Sequence, residues 1–524
     1  MIFPSSRPSL PLRRARRGAA AALVVTALVT LAACDADVPG KDVTPVDEAT
    51  SQAPTGASGA PAGFEDLYAQ DLEWTSCSSG FECATATAPV SWDDPEAGTI
   101  ELDLKRTRAT GEKQGSLLIN PGGPGGSGTT FVESAATTFG DRLLEAFDVV
   151  GFDPRGVRAS TEVVCYDDEG KDEYLSAAFD VETDEGLEEM RQAAADWAQA
   201  CAENTGDLLG SVDTQSAAKD MDMLRAVLGD DQLNYLGFSY GTDLGATYAG
   251  LFPDRAGRLV LDGAMDPTLE AADVSKGQAV GFENALRAYV EDCQAGQECP
   301  LTGSVDDGMQ QVRGVLDRAL DRPYPTSGDR VVTQTLAFYG IAVTLYSEQS
   351  WPVLTQALDE AISAATGDTL LYLADFYNDR NADGSFSTNS TEAFSAINCL
   401  DSRSSDDVET MRAEAAAIEE AAPTVGTFFS YGGLTCADWP YPVAERDYDV
   451  TAPGAPPIVV IGTTNDPATP YVWAQGMADT LASGVLVTYD GEGHTAYGRS
   501  NDCIADAVED YLVDGTAPEE GLTC

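Results

Sequence analysis

Apolar residues recur along this chain in two rhythms. Residues 83–92 and 99–108 alternate apolar with polar side chains, the period of a strand covered on one face, and predict an opening hairpin. Residues 115–120, 147–152, 233–238, 257–263, 456–462 and 484–489 are short and almost continuously apolar, as in strands buried on both faces of a parallel sheet. Around them the spacing lengthens to that of amphipathic helices, over residues 186–230 and again over 502–512. Strands alternating with helices predict an α/β fold with a mostly parallel sheet and right-handed crossovers. Between residues 267 and 455 the strand rhythm stops. Residues 282–293, 309–322, 331–345 and 350–365 have helical spacing, and residues 378–391 are polar and turn-rich. This block predicts a large, mainly helical cap inserted into the sheet domain, whose two parts are then residues 63–266 and 456–524.

The turns after the apolar runs carry the candidate chemistry. Gly237-Phe238-Ser239-Tyr240-Gly241 follows one strand and opens a helix. A G-x-S-x-G turn in that setting is the nucleophile elbow of an α/β-hydrolase, with the serine strained and exposed at the top of the sheet. A serine hydroxyl needs a base, and the chain has one histidine, His494, in the turn after the last strand. A base needs an orienting carboxylate, and Asp466 lies in a tight turn after the preceding strand. The order Ser239, Asp466, His494 is that of the α/β-hydrolase triad. Asp266 is the main competing acid, with Asp262, Asp490 and Glu492 behind it. The run Pro121-Gly-Gly-Pro-Gly-Gly-Ser-Gly128 leaves backbone amides bare, so the N–H groups of Gly122 or Gly123, with that of Tyr240, are the candidate oxyanion hole. Arg155, in Asp153-Pro-Arg-Gly156, reads as structural, pairing with a carboxylate beneath the site.

Residues 1–33 alter the setting. Five arginines precede an apolar stretch too short to span a membrane comfortably, which marks a secretory signal. Leu31-Ala32-Ala33-Cys34 resembles a bacterial lipobox, making Cys34 the candidate lipidation site and the only expected membrane attachment. Residues 34–62 read as a flexible tether. Without residues 1–33 the chain keeps 25 basic against 86 acidic residues, a net charge of −61. That excludes a phosphate-binding surface, and with it nucleic acid as a partner. Ten cysteines remain after Cys34, in near pairs that predict the disulfides Cys77–Cys83, Cys165–Cys201, Cys293–Cys299, Cys399–Cys436 and Cys503–Cys524. With one histidine and no C-x-x-C spacing, neither a metal nor any other cofactor is expected.

Five segments together resemble a known family. Asn120-Pro-Gly-Gly-Pro-Gly-Gly-Ser-Gly128, Gly151-Phe-Asp-Pro-Arg-Gly156, Gly237-Phe-Ser-Tyr-Gly-Thr242, Ala396-Ile-Asn-Cys-Leu-Asp401 and Gly493-His494 are similar to those of secreted bacterial tripeptidyl aminopeptidases. These are proline iminopeptidase-like α/β-hydrolases with a distinctive C-terminal region. The resemblance implies a helical cap, the Ser239/Asp466/His494 triad, and release of short peptides from a free N-terminus. Members named carboxylesterases or endopeptidase-like proteases share the motifs, so an esterase or broader serine protease is the alternative. Arg158 departs from the pattern, standing where the family often has glycine. An exopeptidase must hold its substrate's α-ammonium, and Asp401, beside a cysteine expected to be bridged, is a candidate for that.

Overall fold

The computed structural model describes residues 59–524 apart from 79 and 404. The expected signal segment, Cys34 and all but the end of the tether lie outside the described residues. From the first of them the chain is fastened, since Arg255 donates to the Gly59 carbonyl at 2.8 Å.

Strands β1 (Thr75–Ser78), β2 (Phe81–Ser91) and β3 (Asp94–Thr107) form an antiparallel edge. Then come β4 (Gly115–Asn120), β5 (Phe147–Phe152), β6 (Leu233–Phe238) and β7 (Ala256–Asp262). Two short strands, β8 (Tyr324–Pro325) and β9 (Val331–Val332), pair only with each other. The main sheet resumes with β10 (Ile458–Asn465), β11 (Gly484–Glu492) and β12 (Leu522–Thr523). Its order is β1-β2-β3-β5-β4-β6-β7-β10-β11-β12, parallel from β5 onward. This is the α/β-hydrolase architecture.

The continuous apolar runs are explained by burial on both faces. In β4, Leu118 joins one apolar cluster while Leu117 and Ile119 join another. In β7, Leu259 and Leu261 face the first cluster and Val260 the second. Helices Thr214–Val227 and Tyr240–Leu251 cover one face and helix Asp502–Asp514 the other. Strand β10 starts at Ile458 rather than at 456, because Pro456 and Pro457 have no N–H to give a central ladder. At their far ends β10 and β11 outrun the apolar stretches, with Asn465 opposite Glu492. That pairing brings the following residues, Asp466 and Gly493-His494, side by side.

Between β7 and β10 the chain is mainly helical: Ala271–Ala295, Val305–Asp321, Gln334–Leu345, Trp351–Asp359, Asp368–Tyr377, Ser390–Asp401 and Val408–Ala421. Helix Val305–Asp321 starts at a capping box, in which Ser304 and Asp307 each satisfy the other's backbone N–H. These helices bury a core of their own, including Phe282, Leu286, Leu316, Phe338, Ile341 and Leu373. All five disulfides join the cysteines expected from their spacing. Arg155 is fully buried and grips Asp220 with two bonds of 2.6 and 2.7 Å. Its remaining donors reach the carbonyls of Pro89, Val90 and Ser211, so it ties strand β2 and the turn at Ser211 to helix Thr214–Val227.

Candidate active site

The sheet changes direction around β4, which has β5 on one side and β6 on the other. Such a switch point opens a crevice at the carboxyl ends of the strands. Asn120 at the end of β4 lies opposite Gly237 of β6, so the two turns that follow meet. Ser239 passes from strand to helix at φ 55°, ψ −125°, a conformation that non-glycine residues adopt rarely. Its N–H is held by the Asp262 carbonyl at 2.9 Å. Gly122 packs so closely on this turn that a Cβ there would lie 2.4 Å from the Phe238 oxygen and 2.8 Å from Ser239 Cβ. Its N–H is donated to Asn120 Oδ1 at 2.8 Å, so of the two candidate glycines Gly123 has the N–H left for an oxyanion. The Tyr240 N–H, at the first position of helix Tyr240–Leu251, has no intrahelical acceptor.

Asp466 meets His494. Both carboxylate oxygens lie 2.9 Å from His494 Nδ1. The same oxygens accept the N–H groups of Ala468, Thr469 and Thr495 at 2.9, 2.9 and 3.1 Å. A carboxylate that is 2 % exposed and so engaged has one orientation, which fixes the imidazole in turn. Carboxylate on Nδ1 leaves Nε2 as the nitrogen that can act as a base. Thr469 adds its hydroxyl 3.3 Å from Nδ1. From the inserted helices, the Tyr346 carbonyl accepts the His494 N–H at 3.0 Å, and the Tyr346 ring stands edge-on to the imidazole at 5.2 Å.

The competing acids are occupied elsewhere. Asp266 closes its own turn on Thr268 at 2.7 and 2.9 Å. Asp490 accepts from Thr464, and Glu492 from Asn465. Asp262 is fully buried, and its carboxylate accepts the N–H groups of Ala496 and Tyr497 at 2.7–3.0 Å. Burial pushes its carboxyl up to about 6.

Comparison with known proteins gives this geometry its family. A family model described as TAP-like protein matches residues 422–524. Serine protease Hip1 of Mycobacterium tuberculosis is 37% identical over 485 residues, 88% of this chain and 92% of that protein. The chain belongs to the TAP-like α/β-hydrolases. Carboxylesterase B of M. tuberculosis is 36% identical, covering 92% of this chain and 94% of its own length. A tripeptidyl aminopeptidase of Streptomyces coelicolor is 29% identical, covering 89% and 88%.

Two family motifs of this TAP-like hydrolase serve as clamps. Asp153 accepts from Ser127 Oγ, Thr129 N and Thr129 Oγ1 at 2.7–3.0 Å, pinning the far end of the glycine run. Arg158, at the position that departs from the pattern, takes φ 44°, the left-handed region where glycine has no strain. Its N–H is held by Asn389 Oδ1 at 2.8 Å and its guanidinium by Thr130. Asp401 spends its oxygens on Thr214, accepting the N–H at 2.8 Å and the hydroxyl at 2.6 Å. Burial, with Asp213 and Asp243 nearby, pushes it up to about 8. It therefore ties an inserted helix to the core, instead of standing free as a counter-ion for an ammonium. Thr469, Tyr346 and the clamping role of Asp153 were not singled out from sequence. Threonine and tyrosine are too common to stand out without the partner that only the fold supplies.

Proposed function

We propose that this TAP-like hydrolase is an exported serine peptidase, secreted or held to the membrane by a lipid on Cys34, that releases short peptides, tripeptides among them, from free N-termini. Ser239 attacks the carbonyl carbon while His494 Nε2 takes the hydroxyl proton. The N–H groups of Tyr240 and Gly123 receive the oxyanion, where preorganised donors act most strongly. His494 then protonates the departing amine, and water activated by the same imidazole resolves the acyl-enzyme. Asp466 keeps the proton on Nδ1 and stabilises the imidazolium. The observation that carries this reading is the doubly contacted Asp466–His494 pair, in the same row of strand-end turns as the strained Ser239. The names of two relatives, a serine protease and a tripeptidyl aminopeptidase, support a peptide substrate.

The experiment compares a tripeptidyl chromogenic amide with its N-acetylated form, after confirming that a fluorophosphonate labels the chain and not its Ser239→Ala variant. Cleavage of the free form alone supports an aminopeptidase, and equal cleavage refutes the need for an ammonium. A second reading, an esterase on the same triad, is favoured by the relative named carboxylesterase B. Short acyl esters turned over far faster than any peptide would select it.

A further inference from the structure

Asp262 is the last residue of β7, and it reaches both halves of the catalytic machinery from one position. Its backbone carbonyl accepts the N–H of Ser239 at 2.9 Å. Its carboxylate accepts the N–H of Ala496 through both oxygens, at 2.9 and 3.0 Å, and that of Tyr497 at 2.7 Å. Those amides lie two and three residues after His494, in the turn that presents the imidazole. The next residue, Gly263, donates to the Ile461 carbonyl of β10 at 3.0 Å, and a Cβ there would come within 3.3 Å of His494 Cε1. Among the described residues, no hydroxyl, amide or guanidinium of another side chain satisfies this carboxylate. Its three bonds all come from the histidine turn.

Such a group is expensive to bury, and an apolar residue would fill the same end-of-strand position at less cost. A fold staple would work equally well beneath any loop. This one grips the segment that carries the base, while its own backbone grips the nucleophile. We propose that Asp262 is a positioning residue, which sets the separation of Ser239 from His494 by holding the nucleophile turn through its carbonyl and the histidine turn through its carboxylate. Thr495, between His494 and the clamped amides, takes φ 64°, a conformation that a non-glycine residue keeps only when its neighbours are fixed. Asp466 clamps the near side of the turn and Asp262 the far side, so the imidazole is held between two carboxylates with different tasks. The charged and titratable groups facing Asp262 are Arg499 and His494.

The proposal rests on the acyl-enzyme reading, and the solitary histidine allows the two to be separated. With ¹⁵N-labelled histidine the chain gives one set of imidazole resonances, so the state of His494 can be followed without any substrate. In Asp262→Asn, a lost carboxylate and a slackened turn should move the His494 imidazole resonances and broaden its Nδ1–H signal. Turnover should fall about 10- to 100-fold, mostly in kcat, as expected when catalytic groups are displaced by a fraction of an ångström to an ångström. Unchanged imidazole resonances and an unchanged kcat in a folded Asp262→Asn would overturn the proposal, as would a variant that only melts earlier. Should that variant not fold, hydrogen exchange of the wild-type chain decides. The Ala496 and Tyr497 amides should be the most protected of residues 493–499 and should lose protection together on acidification. Exchange as fast as at Gly498 would reject the clamp. If the wild-type chain fails to react with a fluorophosphonate, the functional reading fails, while the resonance and exchange results still decide on Asp262.

Discussion

The strand-end turns and the inserted helices are held by different means. In the turns, buried carboxylates accept backbone amides: Asp153 from Thr129, Asp262 from Ala496 and Tyr497, and Asp466 from three residues at once. In the insertion, Glu283 does the same for Thr424 and Val425. There, rings and a covalent link add to such polar bonds: Phe338 stacks on Phe428 at 4.1 Å, Phe282 leans on Phe429, and Cys399 is bonded to Cys436. A carboxylate accepting several amides has one geometry, whereas rings in a cluster can slide with little loss. The contrast assigns precision to the sheet and leaves more adaptability to the ring-packed part of the insertion.

The contrast can be broken most directly at the triad. Asp466→Asn should lower kcat about 10⁴-fold by favouring the wrong tautomer, with little loss of stability. Asp266→Asn should stay near wild type in the same assay, and the reverse outcome would move the acid to the other strand. Gly122→Ala should come next, with kcat down roughly 10²- to 10³-fold as the new Cβ displaces the oxyanion donors. Equal activity in steady-state kinetics would mean the glycine run does not shape the hole.

The insertion should respond in stability before it responds in chemistry. Replacing Cys399 and Cys436 by serine opens a link spanning 37 residues. It should reduce unfolding free energy by roughly 2–4 kcal/mol and change KM more than kcat. A fall in kcat like that of Asp466→Asn would show that the insertion, too, sets the chemistry.

Acidity tests the buried carboxyls as a group. Asp243 and Asp262 are raised to about 6 and Asp401 to about 8, all mainly by burial. Between the ordinary carboxylate range and those values the folded chain keeps protons that the unfolded chain has released. Stability should therefore be full below about pH 4 for these groups and fall as pH rises towards 8, by an amount on the order of a few kcal/mol. Urea midpoints that rise over this range would contradict it. The smallest effect is expected at Gly314, inside helix Val305–Asp321, where an added Cβ meets nothing within 4 Å. Gly314→Ala should raise stability by about 0.5–1 kcal/mol and leave turnover unchanged.

What sequence revealed follows the same division. Runs such as Leu117-Leu118-Ile119 announced their strands because burial on both faces leaves no polar position, and the G-x-S-x-G turn announced the elbow. The ends of β10 and β11 were harder to see. Thr463 and Asn465, opposite Tyr489 and Glu492, carry the ladder to the ends of the two strands, and the outer pair, Asn465 and Glu492, owes nothing to hydrophobicity. Asp262 was visible only as one acid among several, because its partners are backbone amides that lie 234 and 235 residues away. Asp401 reads as available along the chain, and only the fold sets Thr214 against it. Such contacts have no periodicity, so no pattern along the chain announces them.

The bond from the His494 N–H to the Tyr346 carbonyl carries a consequence for protein engineering. Exchanging the inserted helices for those of a relative is an obvious route to a new specificity. Here that exchange would also replace one of the supports of His494, the base of the proposed mechanism, so a chimera would alter that histidine's setting together with its helices. A graft that preserves the backbone around residue 346 should keep its turnover, and one that ignores it will have to recover its histidine by later mutation.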